Sequence, residues 1–299
     1  MKRNSENRVT YGLSGVAIFL FILAIGYVLW LFYVNETAER ETTPPSVVSV
    51  ITPTSSPETT TPIVTKQIEI PEPVELFTFI TIKNSCDAHF VGECVRVRSG
   101  PGLSYPVVTK LRNGVLLMVG TTTVEGDSHT WYHITFDEVL KYPERVLSDW
   151  WVASDYADTF ENEGNRTIWE NEHASTTKYI IIDRSEQKLY AYEGDTLFME
   201  TSISTGLELS PTPRGTFTVF KMTPTRYMQG PLPGYTDVYD LPGVPWNLYF
   251  TDEGAVIHGA YWHTSFGSRY SHGCVNLLPT DAEKLYAWAE LGMKVTVRD

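Results

Sequence analysis

The chain has 299 residues, 42% of them hydrophobic and 13% aromatic, and it carries 23 Lys+Arg against 36 Asp+Glu, a formal net charge of −13. The aromatic and β-branched content excludes a wholly disordered chain. The acidic balance without any basic stripe excludes a general binder of nucleic-acid backbones, and three cysteines are too few for a scaffold built on disulfides.

Residues 1–12 form a short, basic N-terminus with Lys2, Arg3 and Arg8. Leu13 to Val34 follows as 22 residues without a charge. At 1.5 Å per residue such a helix spans roughly 33 Å, enough for a hydrocarbon core of about 30 Å. Glu36, Glu39 and Glu41 follow it with only Arg40. The positive-inside bias therefore predicts a single transmembrane helix over 13–34, its N-terminus in the cytoplasm and all later residues on the extracytoplasmic side of the cytoplasmic membrane. The run is too long for the apolar part of a cleaved signal peptide, and Asn35-Glu36-Thr37-Ala38 is a poor cleavage site. Residues 35–75, rich in Thr, Pro, Ser and Glu, read as an extended stalk, and 158–176 as an acidic connector. Stalk and connector hold most of the excess acid, so the acidity does not mark a binding face.

Residues 76–157 predict a small all-β module. Val95–Arg98 and Val107–Leu111 alternate across the turn 99–102, Asn113-Gly114 is a tight-turn signal before the apolar run Val115–Val119, and Trp131–Ile134 and Trp150–Val152 are aromatic strands. Cys86 and Cys94 lie eight residues apart in this exported module. A disulfide between them would add about 2.5 kcal/mol in the chain-entropy model. Free thiols, or a metal site with His89, are the alternatives, and the latter lacks zinc-like spacing. Pairing them leaves Cys274 over.

Three of the seven histidines and Cys274 fall within one window, His258-Gly259-Ala260-Tyr261-Trp262-His263 through Ser271-His272-Gly273-Cys274-Val275-Asn276. A cysteine attacks as thiolate and needs its proton removed, and a histidine within hydrogen-bond reach can take it and later return it to a leaving amine. Gly273 permits a tight turn whose N–H groups, with that of Cys274, can face an oxyanion. Spacing alone does not choose the base, and a zinc site from His258, His263, His272 and Cys274, or a purely structural cluster, stays open at this point. Downstream, Asp281–Leu291 predicts one helix with Thr280 as N-cap, a buried stripe of Leu285, Trp288 and Ala289, and Gly292 as its end. Strands are predicted at Lys178–Asp183, Lys188–Tyr192 and Thr216–Lys221. Residues 222–250, with many prolines and aromatics, show little strand pattern and read as a long loop serving as a substrate lid or groove wall, or else as a decorated hairpin.

The string HGAYWHTSFGSRYSHGCVNL resembles the signature of the YkuD-type L,D-transpeptidases, and the resemblance extends upstream through Tyr179 to Tyr192, Ser204-Thr205-Gly206 and Pro211 to Phe217. The segment VRVRSGPGLSYPVVTKLRNG…WYHITF…WWVASDYA resembles a bacterial SH3-like domain. Together they imply a mainly β protein: an SH3-like barrel over 76–157, then a YkuD-type β-sandwich over 177–299 with one short C-terminal helix. The resemblance implies Cys274 as nucleophile, His258 as base, the Gly259 carbonyl as its orienter and the Gly273–Cys274 backbone as oxyanion site. Ser271, His272 and Asn276, with Tyr261, Trp262 and His263, are implied as supports of the loop or of substrate. Args found in many relatives are absent here, and Arg214 or Arg269 are the candidate substitutes. The implied activity is 3→3 cross-linking of peptidoglycan stem peptides through a thioester, without cofactor or metal, with the SH3-like module on the cell wall. L,D-carboxypeptidase activity and non-catalytic wall binding are the alternatives.

Overall fold

The computed structural model describes residues 74–136, 140–168, 176–231 and 238–299. The N-terminus, the transmembrane reading of 13–34 and the stalk up to residue 73 lie outside the described residues. No helix among the described residues is long and apolar enough to cross a membrane. The described residues are mainly β with one short C-terminal helix.

The first sheet has the order β3-β2-β6-β5-β4-β1-β7, all antiparallel, from β1 (Phe77–Ile82), β2 (Val95–Arg98), β3 (Val107–Leu111), β4 (Leu116–Gly126), β5 (His129–Thr135), β6 (Trp150–Ala153) and β7 (Ala157–Asn162). Cys86 and Cys94 are disulfide-bonded in the loop between β1 and β2. The second sheet has the order β11-β10-β9-β17-β12, from β9 (Lys178–Asp183), β10 (Lys188–Glu193), β11 (Thr196–Ser202), β12 (Gly215–Thr218) and β17 (Lys294–Arg298). The third runs β16-β15-β14-β13-β8, from β8 (Arg166–Thr167), β13 (Lys221–Pro231), β14 (Val238–Tyr249), β15 (Val256–Gly259) and β16 (Val275–Leu277). The second and third sheets share one core, in which Ile180, Leu189 and Val295 meet Met222, Leu248 and Ile257.

The helix α1 (Pro279–Trp288) closes one side of that core with Ala282, Leu285 and Tyr286. It starts two residues earlier than expected. Pro279, which has no N–H to satisfy, stands in the first turn, and Leu278 at the N-cap makes no side-chain cap. The Asp281 carboxylate accepts a hydrogen bond from Thr201 Oγ1 (2.6 Å) instead of marking the helix start. Trp288 is stacked on Phe198 at 4.7 Å, so the buried stripe runs through Tyr286 and Ala289 rather than through Trp288.

Two expectations need correction. The acidic connector is not a linker at its N-terminal end, because Ala157–Asn162 pairs with β1 along its whole length and Arg166–Thr167 pairs with β13. Alternation had been masked there by acidic residues on the exposed face. For residues 222–250 the hairpin alternative holds and the loop reading does not: β13 pairs antiparallel with β14, with a register shift between Arg226 and Met228. Pro224, Pro242 and Pro245 lie inside the paired strands, where sequence rules place few.

The two modules share buried surface. Alternate residues of a strand face opposite sides. In β1 and β4, Ile80, Ile82, Leu117 and Val119 fill the core of the first sheet, whereas Phe79 and Leu116 belong to the core of the sandwich. Phe160 stacks on Phe79 at 5.6 Å and meets Trp246 at 5.4 Å, and Trp246 meets Tyr286 at 5.2 Å, a continuous aromatic row from β7 to α1. Thr225 Oγ1 donates to the Leu116 carbonyl. Burying one Phe or Leu contributes about 1.5–3 kcal/mol, so this contact is a substantial part of the fold.

Gly243 sits in that contact at φ +62°, where an added Cβ would lie 2.4 Å from the Leu116 carbonyl oxygen and 2.6 Å from Val115 Cγ1. Gly194 has φ +56° with open space around it. Gly194→Ala should therefore cost only the backbone term, about 1–2 kcal/mol. Gly243→Ala adds overpacking and should cost about 2–4 kcal/mol. Urea denaturation of both variants checks this, and equal losses would mean that the two modules are not tightly docked at Gly243.

Candidate active site

The parallel pair β15–β16 brings the motif ends together. Ile257 pairs with Val275 and His258 with Asn276, so Cys274 falls in register beside Val256. Since His258 is two residues from Val256, the two side chains emerge on the same face. Both line one cavity of about 730 Å³.

His258 is fully buried, and its Nδ1 lies 3.0 Å from the Gly259 carbonyl oxygen. A carbonyl only accepts, so Nδ1 carries the proton of the neutral ring and Nε2 presents its lone pair. Nε2 is buried and has no hydrogen-bond partner among the described residues. Burial holds the imidazole pKa down to about 4, with the Gly259 carbonyl opposing and the Arg226 guanidinium reinforcing the shift. Cys274 is partly exposed, its Sγ 3.7 Å from the Gly254 carbonyl oxygen. Desolvation pushes its thiol pKa up, against the Val256 amide and the charge of Arg226, which favour thiolate. At neutral pH the resting pair is therefore thiol and neutral imidazole, not a preformed ion pair.

The turn before Cys274 is held from several sides. Gly273 adopts φ +114°, a conformation glycine takes without strain. Ser271 Oγ donates to the Cys274 carbonyl (2.5 Å) and accepts from the Gly273 N–H (3.2 Å). The Gly273 N–H, expected in the oxyanion site, is thus already engaged by Ser271. The upstream segment 204–212 packs alongside: Ser204 bridges Asn276, Gly206 bridges Ser271, and Ser210 Oγ donates to the His272 carbonyl at 2.9 Å. Gln187 secures that segment, accepting from the Thr205 N–H at 2.9 Å while its amide donates to Thr205 Oγ1 at 2.7 Å.

Asn276 lines the cavity, and His263, outside the lining, packs against it. His263 Nδ1 accepts from the Ser265 N–H at 3.1 Å, and its Nε2 lies 2.9 Å from Asn276 Nδ2. Desolvation keeps the His263 pKa down at about 4. With both nitrogens engaged, His263 has no lone pair free for a metal, and no cluster of three metal-ligating side chains occurs among the described residues.

Trp262 lines the cavity, its ring 5.7 Å from that of His258, and His272 lines it from the exposed side. Tyr261 does not reach the cavity lining. It is buried against the first module and donates to the Pro242 carbonyl at 2.6 Å, so it seals the contact between modules. Arg214 is paired with Asp299, and Arg269 is exposed away from the cavity lining. Two arginines line the cavity with His258 and Cys274, Arg112 after β3 and Arg226 on β13, and Tyr239 on β14 lines it as well. None of the three was singled out from sequence. Alternation along 225–230 was the available signal for Arg226, hidden by the flanking prolines.

The depressed histidines make stability depend on pH. Their folded values lie below the ordinary 6.5, so each contributes stability that is complete above pH 6.5 and is lost as pH falls towards 4. Each should remove roughly 1 kcal/mol per pH unit between pH 6 and 5, and about 3 kcal/mol in all. Denaturation of wild type and His263→Gln at pH 7, 6 and 5 tests this. The variant should show the shallower decline, and parallel curves would place the titration elsewhere.

Residues 177–297 match the family model YkuD, described as the L,D-transpeptidase catalytic domain. No curated protein matches the chain. Among solved structures, an Enterococcus faecium L,D-transpeptidase mutant is 27% identical, with a TM-score of 0.38, over 41% of this chain and 50% of that one. The chain thus spans about half the length of that relative. The catalytic domain from E. faecium L,D-transpeptidase acylated by ertapenem is 27% identical over 42% of this chain and all of that one, with a TM-score of 0.37. An L,D-transpeptidase from Mycobacterium smegmatis is 19% identical over 57% of this chain and 90% of that one, with a TM-score of 0.40. The motif from Ser204 to Asn276 lies inside the segment that matches this L,D-transpeptidase catalytic-domain model.

Proposed function

We propose that the chain is a membrane-anchored L,D-transpeptidase that forms 3→3 cross-links in peptidoglycan on the extracytoplasmic side of the cytoplasmic membrane. The observation that carries the reading is that His258, whose buried Nε2 has no hydrogen-bond partner among the described residues, lines the same cavity as Cys274 inside the segment matching the family model. The uncharged run 13–34 supports the anchor, and the strand and turn pattern of 76–157 supports an SH3-like module that holds the enzyme on the wall.

His258 Nε2 takes the Cys274 proton as sulfur attacks the carbonyl of the third, diamino residue of a tetrapeptide stem. Nδ1, fixed on the Gly259 carbonyl, lets the ring become imidazolium without turning. Collapse of the tetrahedral intermediate breaks the peptide bond, and the imidazolium returns its proton to the departing D-Ala amine. The side-chain amine of a second stem then attacks the thioester, His258 removes the amine proton, and the thiol is restored. Arg226 stabilises negative charge on sulfur and opposes charge on the imidazole. That balance suits a base that is neutral at rest.

Intact-protein mass spectrometry after incubation with a carbapenem tests the assignment, because an attacking thiolate opens the β-lactam and stays acylated. Wild type should gain one adduct and Cys274→Ala none. His258→Ala should acylate about 10²–10⁴-fold more slowly. Product masses from stem tetrapeptides read the acceptor, a dimer for transpeptidation and a tripeptide for hydrolysis. Wild-type acylation rates in either variant would refute the roles given to Cys274 and His258.

A further inference from the structure

The cavity that holds Cys274 and His258 is not built by the family-matched segment alone. Ala88, Phe90, Arg112 and Lys141, all from the first module, line it together with Arg226. In a chain of net charge −13, three cations line this cavity, and Glu253 is the one acidic residue of its lining among the described residues. Each cation rests on an aromatic face: Arg112 on Phe90 at 3.9 Å, Lys141 on Tyr142 at 5.6 Å and Arg226 on Tyr249 at 5.5 Å.

Arg112 is the most constrained of the three. It follows β3 and is half-buried, and desolvation disfavours its charge. Phe90 covers one face of the guanidinium, and one of its five N–H donors, on Nη1, reaches the Ala88 carbonyl at 3.2 Å. Both partners sit in the loop closed by Cys86–Cys94. That loop is braced by Asp87, whose Oδ1 accepts from the His89 and Val91 N–H groups, and it touches the motif loop through His89 Nε2 and Thr264 Oγ1 at 3.1 Å. Phe90 and Val91 are more than half exposed at its tip. A half-buried, pre-oriented guanidinium with donors left over is what bidentate carboxylate recognition requires, since little rotamer freedom is lost on binding and desolvation is already complete on one face.

We infer that Arg112, held by the disulfide-closed loop, forms a carboxylate-binding subsite of the catalytic cavity, so that the first module takes part in reading the peptide. The ligand class is a peptide with free carboxylates, bound with its acidic group on the Arg112 wall and the reacting carbonyl at Cys274. This rests on the reading of the cavity as a site for peptide stems. It goes beyond that reading by making the first module a determinant of specificity, not only a tether.

The test uses the full chain carrying Cys274→Ala, so that binding is measured without chemistry. The probes are a stem tetrapeptide with free carboxylates and the same peptide with those carboxylates amidated. Titration calorimetry should give the free form at least a tenfold tighter Kd, as expected for a hydrogen bond to a charged group. Arg112→Gln should bring the two forms to within about twofold, and Arg112→Lys should restore part of the preference. The amidated peptide should bind Arg112→Gln and its parent alike, which shows that the variant is folded. A preference that survives Arg112→Gln, or the lack of any preference in the parent, overturns the inference. Failure of the enzyme assignment is read separately: a wild type that forms no carbapenem adduct but still shows Arg112-dependent preference loses the chemistry and keeps the subsite.

Discussion

The molecule depends on two-sided burial of β1 and β4. Period-two alternation sends Ile80 and Leu117 into one core and Phe79 and Leu116 into the other, so a single pair of strands serves as a wall for both modules. Separating the modules would expose Phe79, Leu116, Phe160 and Trp246 together. The first module is for that reason part of the frame of the cavity, and the described residues form one compact unit.

That frame explains how the site is shaped. The β13–β14 hairpin leaves the sandwich core and crosses β4, carrying Thr225 and Gly243 into the contact and Arg226 and Tyr239 into the cavity. Arg112 and residues of the disulfide-closed loop line the same cavity. Desolvation keeps His258 and His263 neutral and the Cys274 thiol protonated at rest, while the fixed charge of Arg226 favours thiolate on sulfur and disfavours charge on the imidazole. Hydrogen bonds fix the surroundings: His263 is engaged at both nitrogens and Ser271 ties both sides of its turn, whereas the buried Nε2 of His258 has no partner among the described residues.

Much of this was legible in the residues themselves. Crowding of Cys274 with three histidines and Gly273 within one window points to thiol chemistry through residue type and proximity alone. The apolar, β-branched run Lys178–Asp183 and the alternation at Lys188–Tyr192 marked two strands whose bounds agree with the structure to within a residue. The run Val115–Val119 held a further clue, because an unbroken apolar run in a strand implies burial on both faces, which is what β4 shows.

Other features were set only by the tertiary structure. Strand pairing across Pro224 and Pro245 depends on a bulge and on partner strands that tolerate missing donors, neither of which local propensity records. The acidic stretch after Ala157 became a strand because β1 offered an open edge. Arg112 and Arg226 lie 114 positions apart, and nothing local links them until the modules share a wall. The sequence by itself placed Cys274 and three histidines in one window, and spacing left the choice among those histidines open. The depth of burial that tunes those groups, and the cations that surround them, were decided by long-range packing, since desolvation and charge proximity are properties of the assembled cavity and not of any one segment.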